Sequence, residues 1–344
     1  MHLAHLGVMR KLEKEWINGS FDKRRLEKDH ILLIDSYLEK IKSFVPLEFV
    51  RKTRSTKELA HMKATEFRLH LLYVAVPTFL NFLPKRMFEH FLLLHCSMVI
   101  LTKKNLCQSE NIKFARQMLM LFVRETPLIY GEAFCTYNVH CLPHLADDVE
   151  KFGPADDFSA FCFENKLQKL KNLIRNSGKQ LEQLIRRSAE IDEFIIENIN
   201  FDSSFHKESH ELLESHDFGP LAHPFLDNTR GLLKQFFLYK FGKFTIDCRT
   251  IRDNCVMLND GEVIRVRNFV KNSSTNEIFV IGQLFLSKEN AYTIQNKVAS
   301  SSFNECVVKC LSKNLTVWSV DMVKFKMLCV PLIHDEKSYF VSAL

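Results

Sequence analysis

The feature of this chain that most constrains its fold is the loss of helical periodicity near residue 200. Before that point, apolar residues recur every three to four positions, as in the helix predicted over residues 155–187. After residue 225, short runs rich in β-branched residues alternate with turn signals, and Asn259-Asp260-Gly261 between two of these runs predicts a hairpin. The chain is therefore expected to be α+β, with a mostly helical first two-thirds followed by a small all-β, barrel-like domain.

The expected domain boundaries follow from this change in pattern. Residues 1–200 form a helical part, residues 201–224, rich in Ser, His, Asp and Glu, form a linker, and residues 225–344 form the β-rich domain. Within the helical part, residues 155–187 are expected to form one long helix whose leucines line its apolar side. At 344 residues the chain is long enough for one large domain or two ordinary ones.

Composition excludes some classes of protein. With 46% hydrophobic and 26% charged residues the chain is globular rather than disordered. It has no charge-free apolar run of about 18 residues, so no membrane partner is expected. The ten cysteines lack paired short spacings, which favours a nuclear or cytoplasmic location. A net charge of +6 permits binding to nucleic acid without arguing for it.

Residues 137–175 hold most of the side chains that could carry chemistry. They include His140 and His144 four positions apart, two pairs of aspartates, Glu164 in an aromatic run, and then a basic helix. This order suits a carboxylate held over an apolar core, beside a basic surface that could meet phosphate. The two histidines could bind a metal or serve in helix packing, and because no complete set of four ligands is present, no metal site is predicted.

This stretch resembles the transposases of CACTA-type (EnSpm-like) DNA elements and the animal genes derived from them. The shared pattern is Asn-x-His, His-Leu, Asp-Val, Gly-Pro, Ser-Ala-Phe-x-Phe-Glu-Asn and Leu-Lys-x-x-Ile-Arg, in this order. The matching positions are Asn138, His140, His144, Leu145, Asp148, Val149, Gly153, Pro154, Ser159, Ala160, Phe161, Phe163, Glu164, Asn165, Leu170, Lys171, Ile174 and Arg175. The resemblance extends over residues 2–190 and, more loosely, over residues 225–340.

The resemblance implies a partial RNase H-like transposase core that contains a helical insertion. In the complete family enzyme, three carboxylates hold two Mg²⁺ ions, which serve DNA cleavage and strand transfer. Glu164 matches the last of these acids and is the candidate vestigial catalytic residue. Without the resemblance, Glu164 is an acid in the first turn of a helix, where the helix dipole favours it. We expect its carboxylate to face the N-terminal segment near His2.

The other two acids of the family have no counterpart in this sequence. His2 matches a histidine that in the family follows the second aspartate closely, so that aspartate would fall before the first residue. One carboxylate cannot hold two metal ions. The chain is expected to be either a fragment of a longer transposase or a derivative that has lost strand transfer. By itself it is expected to need no cofactor and to cleave no DNA.

Lys166, Lys169, Lys171 and Arg175 are the candidate DNA-binding residues. They concentrate positive charge directly after Glu164, where they could contact the phosphate backbone of DNA. On spacing alone they also fit a solvated helix face opposite the leucines.

Two functions remain open at this point. The first is a transposon-derived protein that has DNA as its partner and is catalytically incomplete. The alternative is a domesticated, non-enzymatic interaction or scaffold protein, whose β-barrel binds a protein or nucleic acid.

Overall fold

A computed structural model describes residues 2–19, 24–198, 210–225, 233–295 and 297–344, without the side chains of Cys162, Asn165 and residues 192–198. Its α-helices precede residue 200, as expected. They are α1 (Arg10–Asn18), α2 (Lys28–Ile41), α3 (Ala64–Leu69), α4 (Ala75–Phe79), α5 (Lys85–Thr102), α6 (Ser109–Tyr130), α7 (Tyr137–His140), α8 (His144–Phe152), α9 (Phe161–Leu173) and α10 (Gln180–Asn198). A π-helical stretch, Leu3–Met9, continues directly into α1. None of the helices in these ranges is long and apolar enough to cross a membrane.

An antiparallel sheet follows the helices, which confirms the α+β class. Its strands, together with the separate pair β7–β8, are β1 (Glu211–His216), β2 (Leu233–Phe241), β3 (Phe244–Asp247), β4 (Cys255–Leu258), β5 (Val263–Asn272), β6 (Ile278–Glu289), β7 (Thr293–Ile294), β8 (Val298–Ala299), β9 (Glu305–Leu311), β10 (Thr316–Ser319), β11 (Val323–Pro331) and β12 (Ser338–Ala343). Pairing runs from β4 through β5, β6, β9, β12 and β11 and returns to β4. The predicted hairpin joins β4 to β5, and Gly261 within it has a φ of +85°, which favours glycine.

The helical part and the sheet share one apolar core. Phe91 and Val99 on α5 belong to the same buried cluster as Leu328 on β11 and Phe340 on β12. Removal of apolar surface from water is the main term that favours folding. The contact between the two parts is therefore part of what holds the molecule together.

The prediction of one long helix over residues 155–187 is wrong. The segment forms α9 and α10, which are separated by the non-helical residues 174–179. An Asn-Ser-Gly run lies in this gap and favours a turn over a helix. The leucines of the segment are not covered by the core, since Leu167 and Leu181 are 64% and 71% exposed.

Part of the segment predicted as a linker is a strand. Glu211–His216 forms β1 and pairs with β2. Leu212 on this strand packs against a cluster that includes Tyr239 and Phe269, which explains why the segment joins the sheet. Residues 201–209 of the predicted linker lie outside the described residues.

Candidate nucleic-acid interface

Glu164 lies in the first turn of α9, next to the N-terminal helix. Its Oε1 atom is 3.2 Å from Nε2 of His2, and the two side chains are 52% and 40% exposed. The helix begins where Ser159 Oγ accepts a hydrogen bond from the backbone N–H of Phe161 (3.3 Å). The predicted position of Glu164 beside His2 is confirmed.

Aromatic contacts fix the start of α9 on the N-terminal helix. The ring of Phe161 lies 5.2 Å from the ring of His2 and 6.4 Å from the ring of His5, measured between centroids. His5 is fully buried, and burial, followed by the nearby charge of Arg68, lowers the pKa of His5 well below its usual range. His5 is therefore neutral at pH 7, and neither of its buried ring nitrogens has a hydrogen-bond partner among the described residues.

A close backbone approach brings α7 to the same place. A Cβ atom on Gly7 would lie 2.7 Å from Nδ2 of Asn138, so only glycine fits at this point of the N-terminal helix. Asn138 and His2 both belong to the family pattern, and the fold places the helices that carry them side by side. The side chain of Asn165, another member of that pattern, is outside the described residues.

The remaining pattern residues do not join a catalytic cluster. His140, His144 and Asp148 are exposed on α7 and α8. The rings of His140 and His144 are 6.2 Å apart, and Nδ1 of His144 is 3.4 Å from Oδ2 of Asp147. Phe163 is 65% exposed. Within the described ranges no three His, Cys, Asp or Glu side chains are grouped as metal ligands.

A groove of about 400 Å³ opens beside the start of α9 and is lined by Glu48, Arg51, Arg68, Asp156 and Phe161, among others. Its two carboxylates already have cationic partners. Asp156 Oδ2 is 2.6 Å from Nη2 of Arg68, and Glu48 Oε1 is 2.8 Å from Nζ of Lys326. Carboxylates that neutralise cations in this way do not fit the site of a two-metal enzyme, which needs oxygens free for Mg²⁺.

The four candidate DNA-binding residues are all exposed. In the described part of the chain, none of Lys166, Lys169, Lys171 and Arg175 forms an ion pair with a carboxylate. Lys166 and Lys169 are three positions apart and share one side of α9, whereas Lys171 lies on another side. Arg175 follows the helix, in the turn that leads to α10. The cations thus surround the end of α9 rather than line one face.

The contacts that hold this site could not be predicted from the sequence. His5 gives no signal in the sequence, because its partner Phe161 is distant along the chain and no spacing rule joins them. The ion pair between Arg68 and Asp156 likewise joins residues that are distant along the chain, so no local pattern predicts it. Gly7 was the one available signal, because a glycine inside a helix marks a close approach.

Comparison with known proteins concerns the sheet. Residues 215–343 match a family described as a domain of unknown function (DUF8592). The match begins in β1 and ends in β12, so it leaves out α1 to α10 and the candidate interface. No curated protein and no solved structure matches the chain.

Proposed function

We propose that this chain is a transposase-derived protein that binds DNA through phosphate contacts at α9 and does not cleave it. The observation that carries the proposal is the surface at α9. Glu164, at the position of the last family acid, contacts His2, and exposed Lys166, Lys169 and Lys171 follow on the same helix. Cations without carboxylate partners release counterions from DNA when they bind its phosphates, which favours association.

The absence of cleavage is part of the proposal and follows from the chemistry of the carboxylates. In the resembled family, in-line attack on a phosphodiester uses two metal ions about 4 Å apart, held by carboxylate oxygens. Glu164 has a histidine as its partner, and the two acids in the adjacent groove neutralise Arg68 and Lys326. These residues do not form a site for the Mg²⁺ ions of the family enzyme, so no catalytic step is assigned to them.

The decisive experiment measures affinity for a labelled duplex across a range of salt concentrations. We expect binding that does not depend on sequence, with a log–log salt slope of roughly −0.9 for each phosphate contacted. Replacement of Lys166, Lys169, Lys171 and Arg175 by alanine should flatten the slope by several units if all four side chains contact phosphate.

A matched control separates these contacts from the effect of net charge. Lys85, Lys104, Lys113 and Lys243 are also exposed, and their replacement by alanine removes the same charge elsewhere. The control variant should bind much as the wild type does. Equal weakening in both variants, or undetectable binding of the wild type at low salt, would remove the support for the proposal.

A cleavage assay tests the second half of the proposal. Plasmid incubated with the protein and Mg²⁺ should stay intact. Nicking that is abolished by Glu164→Ala would show that Glu164 works with acids that we have not identified.

The alternative function is an interaction module built on the sheet, which we propose encloses a small barrel. The closed circuit of strand pairs supports the barrel in this alternative. Phe218, which is 81% exposed beside Phe237, is a candidate protein contact. This account becomes the better one if the salt titration detects no DNA binding.

A further inference from the structure

A groove of about 380 Å³ lies between the end of α1, the first half of α2 and the 3₁₀ turn Thr56–Glu58. Its walls are largely apolar and include Ile17 of α1, Ile31 and Leu32 of α2, and Leu59 after the turn. A groove of this volume that is mostly apolar and has a few well-placed polar groups is the usual form of a small-molecule site.

Two polar atoms of this groove have no hydrogen-bond partner among the described residues. They are Oδ2 of Asp35 and Oγ1 of Thr56, and both atoms are buried. The two side chains are neighbours, because the backbone N–H of Thr56 donates to the other carboxylate oxygen of Asp35, Oδ1 (2.6 Å). Thr56 is only 6% exposed. Because a buried polar atom without a partner costs free energy, a ligand that bonds to both atoms from the groove gains affinity.

The chemistry of the two atoms limits the kind of ligand. A carboxylate accepts hydrogen bonds and does not donate them, so the group that meets Asp35 must be a donor. The hydroxyl of Thr56 can donate to an acceptor beside that donor. A single trans peptide group has its N–H and C=O on opposite sides, so it bonds only one of the two atoms. An amine beside a ring nitrogen, as on adenine, offers both, and its flat ring suits the apolar walls.

Two lysines at the same groove supply positive charge. Lys28, the first residue of α2, and Lys57, in the 3₁₀ turn, both line the groove and are exposed. Within the described ranges, neither side chain forms an ion pair with a carboxylate. Lysine ammonium groups bind phosphate as point charges. The groove therefore combines a place for a base with a place for a phosphate.

We propose that this groove binds an adenine nucleotide. The base amine donates to Asp35, the adjacent ring nitrogen accepts from Thr56, and the phosphate lies at Lys28 and Lys57. The nucleotide is either free or an unpaired residue of a nucleic-acid strand, because both present the same base and phosphate. The site contains none of the four cations of the DNA interface, so it does not depend on DNA binding at α9.

Isothermal titration calorimetry with AMP and IMP tests the proposal on the wild type. IMP carries a carbonyl oxygen where AMP carries the amine, so it sets an acceptor against Asp35. We expect AMP to bind at least roughly tenfold more tightly than IMP, as expected for a hydrogen bond to a charged group. Equal affinity for the two nucleotides, or no detectable binding of AMP, would overturn the proposal.

Asp35→Asn locates the site. Asparagine keeps an oxygen for the N–H of Thr56 but presents an amide NH₂ to the ligand, so the preference for AMP over IMP should fall by roughly tenfold or more. The control is Asp157→Asn, which removes the same charge at an exposed position elsewhere and should keep the preference. A preference that persists in the Asp35→Asn variant would show that AMP binds at another place. If this variant does not fold, the comparison of the two nucleotides on the wild type still decides.

The phosphate contact has its own test. Lys28→Ala combined with Lys57→Ala should weaken AMP binding by roughly fivefold and leave adenosine binding unchanged. Lys104→Ala combined with Lys113→Ala, at exposed positions elsewhere, should bind AMP as the wild type does. An equal loss for adenosine and AMP would contradict the placement of the phosphate.

A competition experiment distinguishes the two sources of the nucleotide. A short oligo-dA strand is titrated against bound AMP in the variant that lacks the four cations of α9. Displacement of AMP shows that the groove accepts a base within a strand. Without displacement, the site is restricted to the free nucleotide.

Discussion

Glu305, at the start of β9, is a fully buried carboxylate between α5 and the sheet. Its Oε2 atom lies 3.0 Å from Nε2 of His95 and accepts a hydrogen bond from the hydroxyl of Tyr292 (2.6 Å), while Oε1 accepts one from Ser342 (2.9 Å). Nδ1 of His95 lies 2.7 Å from the carbonyl oxygen of Leu71, so both ring nitrogens of this buried histidine face hydrogen-bond acceptors. Burial alone would raise the pKa of Glu305, but the charge and hydrogen bond of His95 lower it below its usual value.

Glu305→Gln should destabilise the protein by about 3–5 kcal/mol at pH 7, because it breaks the fully buried pair between Glu305 and His95. A carboxyl whose folded-state pKa is lowered adds stability above its unfolded pKa of about 4.3 and loses it as the pH falls through the folded-state pKa. The difference in the free energy of unfolding between wild type and variant should therefore shrink as the pH falls below about 4. Urea denaturation at several pH values measures this free energy.

Glu336→Gln is the matched control, because the side chain of Glu336 is 76% exposed and pairs with Lys40 at the surface. It should change the free energy of unfolding by at most about 0.5 kcal/mol. If the loss of unfolding free energy in the Glu305→Gln variant stays constant with pH, the assignment of an ionised Glu305 is contradicted.

At the scale of elements, the turn between α9 and α10 is held by one side chain. The amide of Gln183 donates from Nε2 to the carbonyl oxygens of Asn176 (3.1 Å) and Gly178 (2.6 Å). Its Oε1 atom accepts from the backbone N–H groups of Arg175 (3.1 Å) and Asn176 (3.3 Å). One residue of α10 thus satisfies backbone groups that the break in the helix leaves unpaired.

Gln183→Ala should release this turn. The backbone amides of Arg175 and Asn176 lose their acceptor, so their hydrogen exchange should accelerate by roughly fivefold, as expected for a hydrogen bond worth about 1 kcal/mol. Gln168→Ala is the control, because Gln168 lies on α9 and bonds to the side chain of Asn172. Unchanged exchange in the Gln183→Ala variant would mean that the turn is held by other contacts.

At the scale of the whole molecule, a buried lysine ties the helical part to the sheet. Lys326 on β11 is fully buried, and its Nζ atom donates to Oε1 of Glu48 (2.8 Å), in the loop after α2, and to Oδ1 of Asp253 (2.7 Å), in the loop before β4. The hydroxyl of Tyr37 on α2 donates to the carbonyl oxygen of Pro331 on the same strand (2.9 Å). Together with the shared apolar core, these contacts should make the two parts unfold as one unit.

The two tryptophans allow this coupling to be measured. Trp16 lies in α1 and Trp318 in β10, so in a Trp318→Phe background the fluorescence reports on the helical part alone. Lys326→Met should lower the unfolding midpoint seen by Trp16 and destabilise the protein by about 3–5 kcal/mol, because Asp253 loses its buried cation.

Lys324→Met, on the same strand and exposed, is the control and should leave the midpoint unchanged. A midpoint seen by Trp16 that does not move in the Lys326→Met variant, while exchange in β11 accelerates, would show that the helical part and the sheet unfold independently.

Local patterns in the sequence were enough to predict the α+β class, the hairpin at Gly261 and the position of Glu164 at the start of a helix. Each of these depends on residues that are close together in the chain, such as periodicity, turn residues and a first-turn acid. The pattern could not show whether the leucines of residues 155–187 face a core. Periodicity reveals that a helix has an apolar side, but not which surface covers it.

Only the tertiary structure decided which side chains meet. His5 against Phe161, His95 with Glu305, and Lys326 with Glu48 join residues far apart in sequence. The energy of such contacts depends on burial and on the removal of water, which exist only after the chain has folded. The sequence alone therefore determined the fold class, the β4–β5 hairpin and the candidate residues, whereas tertiary packing decided which distant charges are paired.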